Sequence, residues 1–203
     1  MVRCSGVLAA MPRRAPVDPS ATFAYFKPMA ILDIIKAPDP LLRRPSAPVE
    51  RIDSDLKRLV DNMFATMYKA PGVGLAAVQV GVPRRLLVMD IVKNDTDPKQ
   101  PIVMFNPEIV EVVGDGRRMH EEGCLSIPDI YAELERPSAV RVRYMDLAGK
   151  PLEKVCEGML ATVVQHEIDH LNGKLFIDYL SKLKRDIIIK KLVKAKRDEE
   201  LVG

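Results

Sequence analysis

Two histidines flanking a glutamate are the residues of this chain best suited to chemistry. They lie in Gln165-His166-Glu167-Ile168-Asp169-His170-Leu171-Asn172-Gly173, and His120 is the only other histidine in the sequence. On an α-helix, residues four apart share a face about one turn apart, so His166 and His170 can reach one divalent metal. Glu167 lies one residue round the helix, placed to meet a metal-activated water and poorly placed to join both imidazoles as a ligand. This set suits metal-assisted hydrolysis, with the glutamate acting as general base and then general acid. A catalytic zinc-type site normally takes three protein ligands and keeps its fourth position open, so a third ligand has to be found. Downstream the choices are weak. A metzincin-like third histidine would fall at position 176, which is Phe176, and the only later glutamates, Glu199 and Glu200, stand at a helix end that can fray. Asp178 is close in sequence but stays open. Upstream, Cys124 sits in Glu121-Glu122-Gly123-Cys124-Leu125-Ser126. A thiolate is a strong ligand for zinc or ferrous iron. Buried free cysteines are common, so Cys124 gains weight only beside a histidine pair that lacks another partner.

These residues need elements to hold them. Met159, Leu160, Ala161, Val163 and Val164 precede the motif and are apolar on nearly all sides, which predicts a buried helix opening at Gly158 and capped at Gly173. Leu56, Leu59, Val60, Met63, Phe64 and Met67 recur at helical spacing, with Asp53 or Ser54 as cap and Pro71-Gly72 as stop. Gly72-Val73-Gly74-Leu75-Ala76-Ala77-Val78-Gln79 reads as a tight turn that lets another backbone come close; its spacing fails as a phosphate loop at Ala77. Strand-like runs follow at 86–91, 101–106 and 108–113, with turns at Asn106-Pro107 and Gly114-Asp115-Gly116 and a polar loop over 94–101. Residues 117–126 lead to the cysteine, and Ile127-Pro128 breaks the line. Val140, Val142 and Tyr144 alternate as a strand, 146–150 turns, and Pro151 to Cys156 returns as its partner. An apolar connector over 175–180 precedes a last helix, Lys182 to Glu200, capped by Ser181. Short strands joined by short turns imply antiparallel pairing and an α+β fold, with antiparallel sheets wrapped around the buried motif helix.

With 47% apolar and 29% charged residues, the chain reads as globular, and no apolar run reaches a membrane span. Three cysteines are too few for a disulfide framework and favour a reducing compartment. Formal charge is +3 overall; +3 in 1–28 and +4 in 181–203 leave −4 for the body between. Basic ends of this kind are usually solvated, but a basic helix can also dock on an anionic partner such as RNA. Residues 1–28 are broken by Pro12, Pro16, Pro19 and Pro28 and carry no sustained period. They read as a leader outside the domain: a mis-assigned start ahead of Met29, a disordered tail or an organellar transit peptide. The domain proper is then 29–203.

Three stretches together carry a family likeness. Gly72 to Gln79, Glu122-Gly123-Cys124-Leu125-Ser126 and Gln165 to His170 resemble, in order and spacing, the three signatures of the peptide deformylases, and the likeness covers 29–180. It implies Cys124, His166 and His170 as metal ligands and Glu167 as general base and acid. It implies the Gln79 side-chain amide and the Leu125 backbone N–H as donors to the oxyanion. Val73, Gly74 and Gly123 would pair with substrate backbone, and Met159, Thr162 and Val163 would line the pocket for a methionine side chain. The implied reaction removes the N-formyl group from the initiator methionine of nascent chains and releases formate. The implied cofactor is one divalent ion, ferrous iron in nature, with zinc, nickel or cobalt tolerated. The basic last helix would help the enzyme meet the ribosome, with no membrane or DNA partner. The compartment would be a bacterial cytoplasm, or an organellar stroma or matrix if 1–28 is a transit peptide. Arg136 is a candidate partner for Glu122, Tyr131 departs from an arginine found in some members, and His120 reads as a pocket or surface residue. Two other readings stand beside this one. A metalloprotease would need an extended cleft and a ligand after His170. A structural metal site in an RNA-binding module would close all four positions with protein.

Overall fold

The computed structural model describes residues 29–92 and 98–202, with side chains through Asp198. The expected leader, the first half of the 94–101 loop and the Glu199 and Glu200 side chains lie outside the described residues. Helix α1 (Ser54–Lys69) starts where its cap was expected, the Asp53 carboxylate accepting from the Leu56 N–H at 2.9 Å. Strands β1 (Gly74–Ala76), β2 (Leu86–Met89), β3 (Ile102–Val112), β4 (Arg117–Cys124), β5 (Ile127–Pro137), β6 (Ala139–Met145) and β7 (Pro151–Glu157) follow. Helix α2 (Gly158–Leu171) carries the His166–His170 motif, and α3 (Lys182–Val202) ends the chain.

Five strands form one sheet in the order β1-β2-β3-β6-β7, and β4 pairs with β5 in a second sheet; every pairing is antiparallel. The fold is therefore α+β, as expected. Leu86 to Met89 are all buried because both faces of the large sheet are covered. Leu87 and Met89 meet Ala161, Val164, Ile168 and Leu171 of α2, while Leu86 and Val88 meet Val60, Met63 and Met67 of α1. A third cluster joins Ile127 and Leu134 of β5 to Phe176, Ile177 and Leu192. The motif helix thus lies between the two sheets, and burial on all its sides follows from its near-continuous apolar sequence.

Two expectations need correction. The chain does not turn at Asn106-Pro107: β3 runs through it with a bulge between Phe105 and Glu108. Asn106 takes the left-handed backbone (φ 51°), which asparagine tolerates, and its amide holds Val49 by accepting its N–H (2.7 Å) and donating to its carbonyl (2.8 Å). The tight-turn chemistry was real but was spent on a bulge. Likewise, Pro128 does not end the strand region. Proline needs no ladder hydrogen bond at the second residue of β5, where the β4–β5 register shifts, and β5 continues to Pro137. The Gly72–Gln79 stretch is a short edge strand followed by a 3₁₀ turn over Ala77–Val80, and the apolar connector is a 3₁₀ turn over Phe176–Tyr179.

Candidate active site

The Cys124 sulfur and ring nitrogens of His166 and His170 lie within 4.8 Å of one another, the one such group of potential metal ligands among the described residues. The cysteine arrives from the end of β4, where the register shift with β5 turns the chain toward α2, and the histidines arrive one turn apart on α2. Cys124 Sγ is 3.2 Å from His170 Nε2, and the two imidazoles meet edge to face at 5.0 Å between centroids. Phe176 occupies the position where a metzincin's third histidine would fall, and its ring stacks on His166 at 6.2 Å. Asp178 is no ligand: its carboxylate accepts from the Leu175 N–H and pairs with Arg43.

His166 is oriented from behind. The Glu122 carboxylate lies 2.9 Å from His166 Nδ1, which leaves Nε2 for a metal. Glu122 is held in turn by Arg136, as the sequence suggested, with a second N–H donated at 3.0 Å; Arg136 also donates to Asp169 at 2.9 Å. The Tyr179 hydroxyl donates to the other Asp169 oxygen, and its ring faces the Arg136 guanidinium. The sequence offered no signal for this last link, because Asp169 reads as an ordinary helix residue and Tyr179 as part of a connector. Burial favours neutral His170, the form that ligates, and lowers its pKa well below the usual value. Burial works against charge on His166 too, but the neighbouring Cys124 sulfur and Glu122 carboxylate outweigh it and raise its pKa. The Cys124 sulfur and the Glu122 carboxylate are the neighbours that would favour a divalent cation there. The donor set of one soft sulfur and two imidazoles fits zinc or ferrous iron, and His170 Nδ1 and Glu167 Oε2 are buried without partners.

Glu167 stands beside this group. Burial pushes its carboxyl up to about 7, against the pull of His166. Gly74 makes room for it: a Cβ there would come within 2.4 Å of Glu167 Oε1. Gln79 is fixed by accepting the Ala76 N–H at 2.8 Å, which turns its NH₂ group toward Ser126 Oγ (3.1 Å) and the Cys124 sulfur (3.7 Å). A cleft of about 490 Å³ opens over these groups. Its walls include Val73, Gly74, Gln79, Gly123, Leu125, Met159, Thr162 and Val163, so every residue singled out in the sequence for binding reaches one cavity; His120, half-buried, and the exposed Tyr131 line it as well.

The sequence model of the polypeptide deformylase family matches residues 31–186. A peptide deformylase of Mesorhizobium japonicum is 56% identical over 178 residues, covering 86% of this chain and all of that protein. The crystal structure of a peptide deformylase from Legionella pneumophila is 49% identical with a TM-score of 0.76, over 84% of this chain and 98% of that one. The Met-Ala-Ser-bound crystal structure of class I type b peptide deformylase from Acinetobacter baumannii is 38% identical with a TM-score of 0.70, over 75% of this chain and 99% of that one.

Proposed function

The chain belongs to the polypeptide deformylase family, a metal-dependent deformylase that removes N-formyl groups, and on that premise we propose how its residues divide the work. Cys124, His166 and His170 would hold the ion, ferrous iron in the cell with zinc, nickel or cobalt as substitutes; the mutual approach of these three side chains is the observation that carries the reading. When bound, the ion supplies Lewis acidity, polarising the formyl carbonyl and acidifying water. Glu167 takes the proton from the attacking water and passes it to the leaving amine; the new C–O bond and the broken C–N bond give formate and a free N-terminus. A carboxyl near neutrality can do both, since it neither holds nor releases its proton too tightly. Gln79 Nε2 and the Leu125 N–H donate to the oxygen as charge develops on it. The walls formed by Met159, Thr162 and Val163 receive the methionine side chain, while Val73, Gly74 and Gly123 pair with the peptide backbone. The Acinetobacter relative's Met-Ala-Ser ligand supports formylmethionyl nascent peptides as substrates.

Residues 29–203 act as one catalytic unit in a bacterial cytoplasm, and the lysines of α3 dock on the ribosome. That docking predicts salt-sensitive co-sedimentation with ribosomes, weakened when Lys190, Lys191 and Lys194 become glutamate. The chemistry is tested by formate release from formyl-Met-Ala-Ser after anaerobic purification. Glu167→Ala is expected to keep its metal and lose at least about 10²-fold in kcat; near-normal turnover would remove the base assignment.

A further inference from the structure

A second groove opens beside the cleft. It runs between the outer face of the β4–β5 sheet and the start of α3, and Glu121 and Tyr131 line both cavities. The two therefore adjoin at Glu121 and Tyr131. The Tyr131 ring packs against Gly123 of the strand opposite, where a Cβ would stand 2.6 Å from it. An aromatic side chain thus stands where the cleft and the groove meet.

The lining of the groove is unusual for a solvated face. Met119 is 56% exposed, Tyr131 66% and Ile187 59%, and the helix contributes Ile188 as well. Charge is equally out of keeping. Glu121 and Glu133 face each other directly in the β4–β5 register, and neither makes an ion pair among the described residues. Like charges directly opposite on a sheet are destabilising.

We propose that this groove extends the substrate cleft and receives the nascent polypeptide downstream of its third residue, favouring apolar and cationic side chains there. The proposal rests on the deformylase reading above. A peptide end is fixed at the metal ligands, and its chain must leave the cleft over some surface; the groove is the surface that shares cleft-lining residues. Methionine and aromatic side chains suit an occupant whose sequence varies, since they adapt their shape to many partners. The facing glutamates outnumber Lys184, the cation that also lines the groove, and leave negative charge that a lysine or arginine of the passing chain would neutralise.

The test compares formyl-Met-Ala-Ser with the same peptide lengthened by about six residues, roughly 20 Å of extended chain. Leu-Lys-rich and Leu-Glu-rich extensions are assayed on the metal-loaded full chain. The Leu-Lys extension is expected to raise kcat/KM by about tenfold, chiefly through KM, for an apolar contact of ordinary size. Ile187→Ser and Met119→Ser should each erase most of that gain, measured as the ratio of long to short peptide. Glu133→Lys should reverse the preference between the two extensions. All three positions are exposed, and the tripeptide rate of each variant is the internal check on folding. Equal kcat/KM for long and short peptides in the wild type would overturn the proposal. So would an unchanged ratio in all three variants, whether or not Ile187→Ser weakens ribosome binding or breaks up a dimer of this chain. Failure of the deformylase reading would look different, as no formate from the tripeptide itself.

Discussion

Glu167 is confined on one side by a glycine and has a buried carboxylate oxygen without a partner on the other. Its position is set by backbone contact, so the residue beside it matters as much as the acid itself. Gly74→Ala puts a methyl group into the space of Oε1 and must push the carboxylate away, because Cδ and Cγ of Glu167 also lie within 3.0 Å of that position. The expected result is metal content near normal with kcat lower by about 10²-fold, since misplacing a catalytic group by about 1 Å costs that much. Metal analysis beside formate release separates this from collapse of the site. Cys124→Ala removes the only sulfur of the cluster and should lose the ion during anaerobic purification, read by elemental analysis. Retention of a full complement would mean that another group completes the site, and Asp178 is not free to do so, being tied to Leu175 and Arg43. Gly123 has a comparable constraint from the Tyr131 ring, which explains a glycine beside Cys124 without reference to substrate.

At the scale of elements, the helices were legible and the strands only partly so. The α1 stripe and its Asp53 cap, and the buried α2 from Gly158 to the Gly173 cap, follow from periodicity and from two glycines at φ 58° and 72°. The β6–β7 hairpin was also plain, because its alternation and turn are local. Two strands were misjudged where a residue that usually ends a strand was absorbed by a non-local contact. Asn106 reads as a turn until Val49, more than fifty residues earlier in the chain, is seen in its amide. Pro128 reads as a break until the register shift beside Cys124 gives it a place without a ladder bond. Asn106→Ala should therefore lower stability by about 1–3 kcal/mol, from two buried-side hydrogen bonds and the strain of a left-handed alanine. Urea unfolding measures this, and no change would show that the bulge forms without the amide. The chain of groups behind His166 was half legible: Arg136 could be guessed for Glu122, but the extension to Asp169 and Tyr179 needs the end of β5 brought against α2 and the 3₁₀ turn after it. Both Arg136 and Glu122 are nearly fully buried, so each depends on the other to avoid an uncompensated charge.

Across the whole molecule, the motifs lie within the stretch matched by the family, 31–186, and residues 1–28 contribute none of them. Deleting residues 1–28 should leave formate release from formyl-Met-Ala-Ser within experimental error; an inactive truncation would give that segment a role in the enzyme. The charge map has a similar division, a mildly acidic body with basic ends. The placement of the ligands has one more consequence. Cys124 comes from the two-stranded sheet and both histidines from the helix that lies on the five-stranded one. The three donors come together only while those layers are docked. Occupancy is thus coupled by mass action to the folded population, worth about 2.7 kcal/mol when free ion stands at a hundred times its dissociation constant. A cell that starves this enzyme of its ion would lose more than turnover: it would shorten the lifetime of the polypeptide, making protein abundance itself a readout of metal supply.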